Sequence, residues 1–168
     1  MRKFVLMLVA AGALLVPLTA LADETPTSAT VASQICSQER TAMGAAAFKL
    51  LYGTNANRSN AYGKCVSKNA GGAKQDVVNA AKTCKAERTA DAVAFAAKYG
   101  TNPNKSNAFG KCVSALAKAT AREEASETSS AAKTCKAELA ADRAAFATKY
   151  GSARNAFAKC VSASKQGE

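Results

Sequence analysis

The stretch that decides the fold is residues 84–114, CKAERTADAVAFAAKYGTNPNKSNAFGKCVS, because near copies of it occur on both sides. The octapeptide AAKTCKAE occurs at 80–87 and again at 131–138, and the ending NAFGKCVS recurs as NAYGKCVS and NAFAKCVS. Self-similarity of this kind marks repeated structural units. The chain therefore contains three modules, which we place at 32–67, 80–114 and 131–162.

Each module carries two cysteines and three aromatic residues. The cysteines are Cys36 and Cys65, Cys84 and Cys112, and Cys135 and Cys160. The aromatic residues are Phe48, Tyr52 and Tyr62; Phe95, Tyr99 and Phe109; and Phe146, Tyr150 and Phe157. A domain below ~40 residues usually needs a covalent staple or a partner to fold. We therefore expect a small aromatic core in each module, closed by a disulfide.

The local composition predicts an all-α fold. Alanine, lysine and glutamate dominate the modules, whereas β-branched residues are sparse. Phe95 and Tyr99 are four residues apart and share one helix face. Gly100 is expected to end that helix as a left-handed C-cap. The turn-forming residues 101–106 follow, and Asn107 is expected to be the N-cap of the next helix.

One straight helix over residues 84–99 could not bring the cysteines of a module together. Cys84 would lie ~22 Å from the turn and Cys112 only ~8 Å into the returning helix. Bridged Cα atoms lie ~4.4–6.8 Å apart, so the mismatch is too large. We therefore expect a break in the first helix, at residue types that tolerate N-cap geometry. These residues are Gly44, Asp91 and Asp142.

With that break, each module becomes three short helices, and the first can fold against the third. This arrangement favours pairing within modules, as Cys36–Cys65, Cys84–Cys112 and Cys135–Cys160. The alternative is pairing across modules, as Cys65–Cys84 and Cys112–Cys135, which leaves Cys36 and Cys160 to pair or stay free. The sequence therefore predicts three tandem disulfide-stapled helical modules.

The first 22 residues have the features of a cleaved secretory signal peptide. Arg2 and Lys3 precede an apolar stretch at 4–16, and Ala20 and Ala22 form a small-residue cleavage pattern. Export to an oxidising compartment suits an even number of cysteines. We therefore expect a secreted, periplasmic or cell-envelope protein.

The segments outside the modules are interpreted as connectors and ends. We expect a disordered N-terminus at 23–31, linkers at 68–79 and 115–130, and a tail at 163–168. The first linker is loop-like at its glycine pair, and the second is polar, partly helical and mobile. The modules are therefore expected to behave as three beads with modest contacts.

No constellation typical of catalysis occurs in the sequence. Histidine is absent, which removes the side chain best suited to proton transfer near neutral pH and the commonest metal ligand. We therefore expect no enzymatic activity, no metal and no cofactor. A glutamate follows the first cysteine of each module by three residues: Glu39, Glu87 and Glu138. We interpret it as a helix-face charge or a buried ion pair, the alternative being a carboxylate-dependent hydrolase that uses Glu87 and Glu138.

Positive charge is concentrated in the modules. Removal of the leader leaves 21 basic and 12 acidic residues, a net charge of +9. The modules carry +3, +4 and +4, and everything else sums to −2. This pattern favours binding to an anionic envelope polymer or lipid surface, with nucleic acid the weakest candidate. The alternative is a secreted cationic antimicrobial or an inhibitor of another organism's enzyme.

Twelve basic residues of the second and third modules are the candidate anion-binding residues. They are Lys82, Lys85, Arg88, Lys98, Lys105, Lys111, Lys133, Lys136, Arg143, Lys149, Arg154 and Lys159. Tandem copies of one weak binding unit raise the overall affinity through high effective concentration. We therefore expect the array to bind more tightly than any single module.

The pattern CKAERxAD…AFAxKYGTN…NAFGKCVS resembles a segment that recurs in short exported bacterial proteins, mainly of actinobacterial type. The resemblance covers the three modules but neither the leader nor the connectors. It implies export and modularity and gives no information about activity or mechanism. The first copy, CSQERTAMGAAAFKLLYG at 36–53, departs most from the pattern, so a binding surface shared by the copies would be weakest there.

Overall fold

The computed structural model describes residues 25–166, so the proposed signal peptide at 1–22 lies outside the described residues. The described residues form seven α-helices and no strand, which confirms the all-α prediction. The helices are α1 (Ser28–Met43), α2 (Ala45–Tyr52), α3 (Ala61–Ala90), α4 (Ala92–Tyr99), α5 (Ala108–Ala141), α6 (Arg143–Tyr150) and α7 (Ala156–Gln166). None of these helices is long and apolar enough to cross a membrane.

The disulfides confirm the pairing within modules. They are Cys36–Cys65, Cys84–Cys112 and Cys135–Cys160, with Cα–Cα distances of 5.9, 6.0 and 5.9 Å. All six cysteines are fully buried. Structural disulfides of this kind are typical of proteins in oxidising, extracytoplasmic compartments.

The predicted break in the first helix of each module is confirmed. Asp91 Oδ1 accepts hydrogen bonds from the backbone N–H groups of Val93 and Ala94, at 3.0 and 2.9 Å, and so begins α4. Asp142 begins α6 in the same way. The first module uses Gly44 instead, with φ +82° and no side-chain cap. The first copy has one more residue between its first cysteine and its phenylalanine than the other two copies. A positive φ is accessible to glycine at little cost, so this residue is absorbed at the break.

The loop before the third helix is organised differently from the prediction. Asn107 Oδ1 accepts from the backbone N–H of Thr101 at 3.0 Å, and its side chain makes no capping bond to α5. The Asn107 side chain therefore stabilises the loop that precedes α5. Gly100 has φ −71° rather than a left-handed conformation, so that prediction is wrong. Glycine is needed there because a Cβ would lie 2.6 Å from the Ala96 carbonyl oxygen and 2.7 Å from Lys105 Cβ.

The connectors are continuous helix rather than loops or mobile linkers. Helix α3 runs unbroken through Gly71 and Gly72, although each glycine costs about 1 kcal/mol relative to alanine inside a helix. Tertiary packing outweighs that cost, because Ala73 of α3 is fully buried. Helix α5 likewise buries three alanines spaced by four residues: Ala117, Ala121 and Ala125. Residues 28–31, expected to be disordered, are helical because α1 begins at Ser28, and α7 extends into the tail as far as Gln166.

The modules share hydrophobic cores, so the expectation of three separate beads is wrong. One core joins the first and third modules and includes Phe48, Phe146 and Phe157. The other surrounds Phe95 and is completed by Ile35 at the N-terminal half of α1 and by alanines of the connectors. Helix α1 contributes to both cores, so the chain folds as an interlocked helical array.

The expectation of three buried rings in each module is only partly correct. The first ring is buried in every module: Phe48, Phe95 and Phe146 are each 2% exposed. The third ring varies, since Tyr62 is 37% exposed whereas Phe157 is buried. Intermodule contacts, which supply part of each core, therefore decide how deeply the remaining rings are covered.

Candidate functional site

The twelve basic candidate residues lie on the protein surface. Eleven are exposed and Lys111 is half-buried. Four of them in the second module have counterparts in the third module: Lys82, Lys85, Lys98 and Lys111. Arg88 and Arg143 do not match across the two modules. The structure therefore presents the charge of these modules to solvent.

Several of these cations are engaged by neighbouring groups. Lys98 Nζ lies 2.7 Å from Glu87 Oε1, and Lys149 Nζ lies 2.9 Å from Glu138 Oε1. Lys105 Nζ donates to the Gly100 carbonyl oxygen at 2.9 Å. These three lysines are committed in part to the fold of their own module.

Four lysines around the first cysteines of the second and third modules are different. They are Lys82, Lys85, Lys133 and Lys136, from the repeated sequence KTCK. Residues three apart share a helix face, so each module presents two ammonium groups side by side. All four are exposed, and in residues 25–166 none makes an ion pair or side-chain hydrogen bond. The first module has Gln34 and Ser37 at these positions and lacks this pair.

A glutamate–tyrosine hydrogen bond recurs in every module, and sequence reasoning missed it. The tyrosine hydroxyl donates to Glu Oε2 at 2.7 Å in Tyr52–Glu39, 2.9 Å in Tyr99–Glu87 and 3.2 Å in Tyr150–Glu138. The residue pairs are visible in the repeat, but the aromatic pattern predicts only a core position for each tyrosine. The bond ties the first helix of each module to the second.

In the second and third modules, this glutamate also pairs with a lysine. The hydrogen bonds from Lys98 and Tyr99 lower the pKa of Glu87 below its ordinary value. Hydrogen bonds to Tyr150 and Glu138 raise the pKa of Lys149 to about 12. Glu87 and Glu138 are therefore charges on a helix face, as the sequence indicates. Each forms an ion pair with a lysine at the surface.

In the first module the same glutamate is buried. Glu39 is 1% exposed, and Leu51 occupies the position that holds lysine in the other two modules. Burial raises the pKa of the Glu39 carboxyl, opposed by hydrogen bonds from Tyr52 and Thr128. Burial, together with the Glu39 charge, also raises the pKa of Tyr52. The expectation of a buried ion pair is therefore wrong here, since the partner is a phenol.

These carboxylates do not assemble into a metal or two-carboxylate site. Glu39 lies with Cys36 and Cys65 in a group whose potential ligand atoms are within 4.8 Å of one another. The two sulfur atoms are bonded to each other, so they are not the thiolates that bind metals. Glu87 and Glu138 sit in different modules, each held by its own lysine and tyrosine.

A further acidic pair lies where α3 and α5 form the connectors. Burial raises the pKa of Asp76, and burial together with the Asp76 charge raises the pKa of Glu124. Asp76 Oδ2 is buried without a hydrogen-bond partner in the described part of the chain. The prediction that residues 68–79 and 115–130 are linkers did not indicate this pair, because side chains on separate linkers are not expected to face each other.

Comparisons of the chain with family models, curated proteins and solved structures found no match. Function therefore has to be inferred from the chemistry of the surface. The strongest feature of that chemistry is the set of KTCK lysines, because it repeats in two modules and makes no ion pair or side-chain hydrogen bond in the described residues.

Proposed function

We propose that this is a non-enzymatic exported repeat protein that binds an anionic polymer of the cell envelope through its second and third modules. The observation that carries the proposal is the exposed lysine pair at each KTCK sequence, Lys82 with Lys85 and Lys133 with Lys136. An unpaired surface ammonium group is available to an external anion. The polymer supplies closely spaced anions that a pair of ammonium groups can neutralise together.

The rigidity of the array supports binding to a repeating ligand. Helix α5 joins the third helix of the second module to the first helix of the third module without a break. Lys133 and Lys136 lie on α5, and the other lysine pair lies on α3, which the Cys84–Cys112 disulfide joins to α5. Simultaneous engagement raises the affinity, because the second contact forms at high effective concentration.

A polymer is favoured over insertion into lipid because the large apolar side chains are mostly internal. The exposed large apolar side chains of the described residues are scattered: Tyr62, Val78 and Val93. Binding that depends on charge alone releases counterions and weakens steeply as salt rises. Export by the proposed signal peptide would place the protein where such polymers occur.

The proposal is tested by binding to isolated cell wall across a series of salt concentrations. The decisive variant replaces the four KTCK lysines by the residues of the first module: Lys82→Gln, Lys85→Ser, Lys133→Gln and Lys136→Ser. At about 1 kcal/mol per lysine beside an anionic surface, affinity should fall by roughly 10²–10³-fold. Binding that is absent at low salt, or independent of salt, would contradict the proposal.

A control variant removes the same charge elsewhere. The substitutions are Lys49→Gln, Lys64→Gln, Lys74→Gln and Lys118→Gln, all at exposed positions outside the second and third modules. This variant should retain most of the affinity. An equal loss in both variants would show that net charge alone drives binding and would overturn the assignment to the KTCK lysines. Growth inhibition of a susceptible bacterium by the folded protein would favour the antimicrobial alternative.

A further inference from the structure

A groove with an apolar floor lies where the first and third modules meet. Its volume is about 570 Å³, which is within the ~300–1,000 Å³ typical of small-molecule sites. The floor is formed by Leu50 from the first module and by Leu139, Phe146 and Phe157 from the third. Phe146 and Phe157 are buried in the shared core, so the floor is a rigid continuation of the hydrophobic interior.

The rim of the groove is positively charged. Arg58, Arg143 and Arg154 line it, and no carboxylate of the described residues does. Arg58 is held in place, since its Nη1 donates to the Leu50 carbonyl oxygen at 2.9 Å and its Nη2 to that of Arg154 at 3.4 Å. Arg143 and Arg154 are exposed, and in residues 25–166 their guanidinium groups make no ion pair or hydrogen bond. The groove therefore combines apolar surface with two available guanidinium groups.

The repeat diverges at this groove. Leu139 occupies the position of Arg40 and Arg88 in the other modules, where each arginine follows the repeated glutamate. Arg143 occupies the position of Ala92, directly after the capping aspartate. One change adds apolar floor and the other adds a cation to the rim. Two of the substitutions that distinguish the third copy thus line one cavity.

The loop of the third module is shorter than that of the second, and this leaves the groove open to solvent. The segment between glycine and the third helix has seven residues at 101–107 but four at 152–155. In the second module the loop packs on its glycine, so that a Cβ at Gly100 would lie 2.7 Å from Lys105 Cβ. At Gly151 the nearest atom to an added Cβ is Lys159 Nζ at 3.9 Å. The three missing residues therefore uncover the groove instead of filling it.

We propose that this groove binds one molecule of an alkyl carboxylate, with the chain on the apolar floor and the carboxylate at Arg143 and Arg154. Guanidinium groups present N–H donors in a planar fork that matches the two oxygens of a carboxylate. The Arg58 guanidinium is largely occupied by main-chain carbonyls, so two cations face a single negative charge. This site is separate from the KTCK lysines and does not depend on the proposed envelope binding.

The test is calorimetric titration of the full exported chain with dodecanoate below its micelle concentration. We expect one site per chain. Leu139→Arg and Arg143→Ala should each weaken binding by at least about tenfold, because they remove the apolar floor and the ion pair. Each introduces the residue that another module already has there, so the fold should persist, which circular dichroism and a free-thiol assay check. Lys136→Ala removes one charge from the same module outside the groove and should leave the affinity unchanged.

Two further probes separate the groove from weaker explanations. Acetate, which has the head group alone, and dodecyltrimethylammonium, which has the chain with the opposite charge, should each bind at least about tenfold more weakly than dodecanoate. Equal binding of either probe would overturn the proposal. So would the absence of dodecanoate binding, wild-type affinity in both folded groove variants, or an equal loss in Lys136→Ala. Loss of envelope binding in the KTCK variant with dodecanoate affinity intact would leave the groove assignment standing.

Discussion

The first and second modules place the same glutamate–tyrosine pair in opposite environments. In the first module Glu39 is 1% exposed and accepts a hydrogen bond from the Tyr52 hydroxyl at 2.7 Å. In the second module the Glu87 side chain is 35% exposed and meets both Tyr99 and Lys98. The pKa of Glu39 is raised by burial, whereas that of Glu87 is lowered by its hydrogen bonds.

The difference shows that a repeated sequence motif does not by itself determine the burial or the pKa of its glutamate. Leu51 replaces the lysine, and the first module packs against helix α5 of the third, which covers Glu39. The carboxylate then loses water and a cation together, so the phenol hydrogen bond becomes more important there than in the other modules. The following predictions rank the consequences.

The largest expected effect comes from removing a disulfide. The cysteine pairs 36/65 and 84/112 close loops with sequence separations of 29 and 28 residues. Replacing either pair by alanine should lower the free energy of unfolding by about 3–4 kcal/mol in the chain-entropy model. Denaturant unfolding of both double variants measures this. A loss below about 1 kcal/mol in either would show that the shared cores hold the array without that disulfide.

Removing the phenol hydroxyl should lower the stability of the protein more in the first module than in the second. Tyr52→Phe removes the Tyr52 hydrogen bond from the buried Glu39 carboxyl and should lower the free energy of unfolding by about 1–3 kcal/mol. Tyr99→Phe leaves Glu87 with Lys98 and water, so its effect should be clearly smaller. Thermal and denaturant unfolding of both variants provide the comparison. Equal effects would mean that burial does not distinguish the two glutamates.

The pH dependence of stability should have opposite signs at the two glutamates. The raised pKa of Glu39 means that its ionisation penalises the folded state above that pKa, and the penalty disappears as pH falls toward the ordinary glutamate value. The lowered pKa of Glu87 gives stability above the ordinary value, lost as pH falls through the folded-state pKa. Glu39→Gln should therefore gain stability relative to the parent protein as pH rises to neutral, and Glu87→Gln should lose it. Unfolding curves from acid to neutral pH check both signs, and slopes of one sign would contradict the assignment.

The smallest expected effect is a local shift in one pKa. Lys98→Leu gives the second module the leucine of the first, and it should raise the pKa of Glu87 toward its ordinary value because the main hydrogen bond is lost. Carboxyl NMR titration measures the shift. Lys118→Leu, on the connector, is the control and should leave the pKa of Glu87 where it is. An unchanged value in Lys98→Leu would show that Tyr99 alone sets it.

Much of the fold could be predicted from the sequence because its signals are local. The disulfide pairing followed from the reach of a helix, and the breaks at Asp91 and Asp142 from their capping chemistry. The connectors could not be predicted this way. Gly71 and Gly72 indicate a loop when taken alone, and only burial of Ala73 against other helices makes helix the better state.

Some features of the candidate site could also be predicted from the sequence, and others could not. The sequence placed the KTCK lysines among twelve candidate cations and identified the recurring glutamates, since a repeat exposes its own constant positions. It did not indicate the burial of Glu39, which depends on α5, or the groove between the first and third modules, which depends on Leu50 and Leu139 meeting across about ninety residues of chain.

The sequence by itself determined the three modules, their disulfides and the excess of positive charge, because each depends on residues within one repeat. The tertiary structure alone decided that the modules share two cores, that the connectors are helical and that the same glutamate is exposed in one module and buried in another. The physical reason is that desolvation and packing are set by atoms brought together from distant parts of the chain, and a repeat carries no information about which copy will be its neighbour.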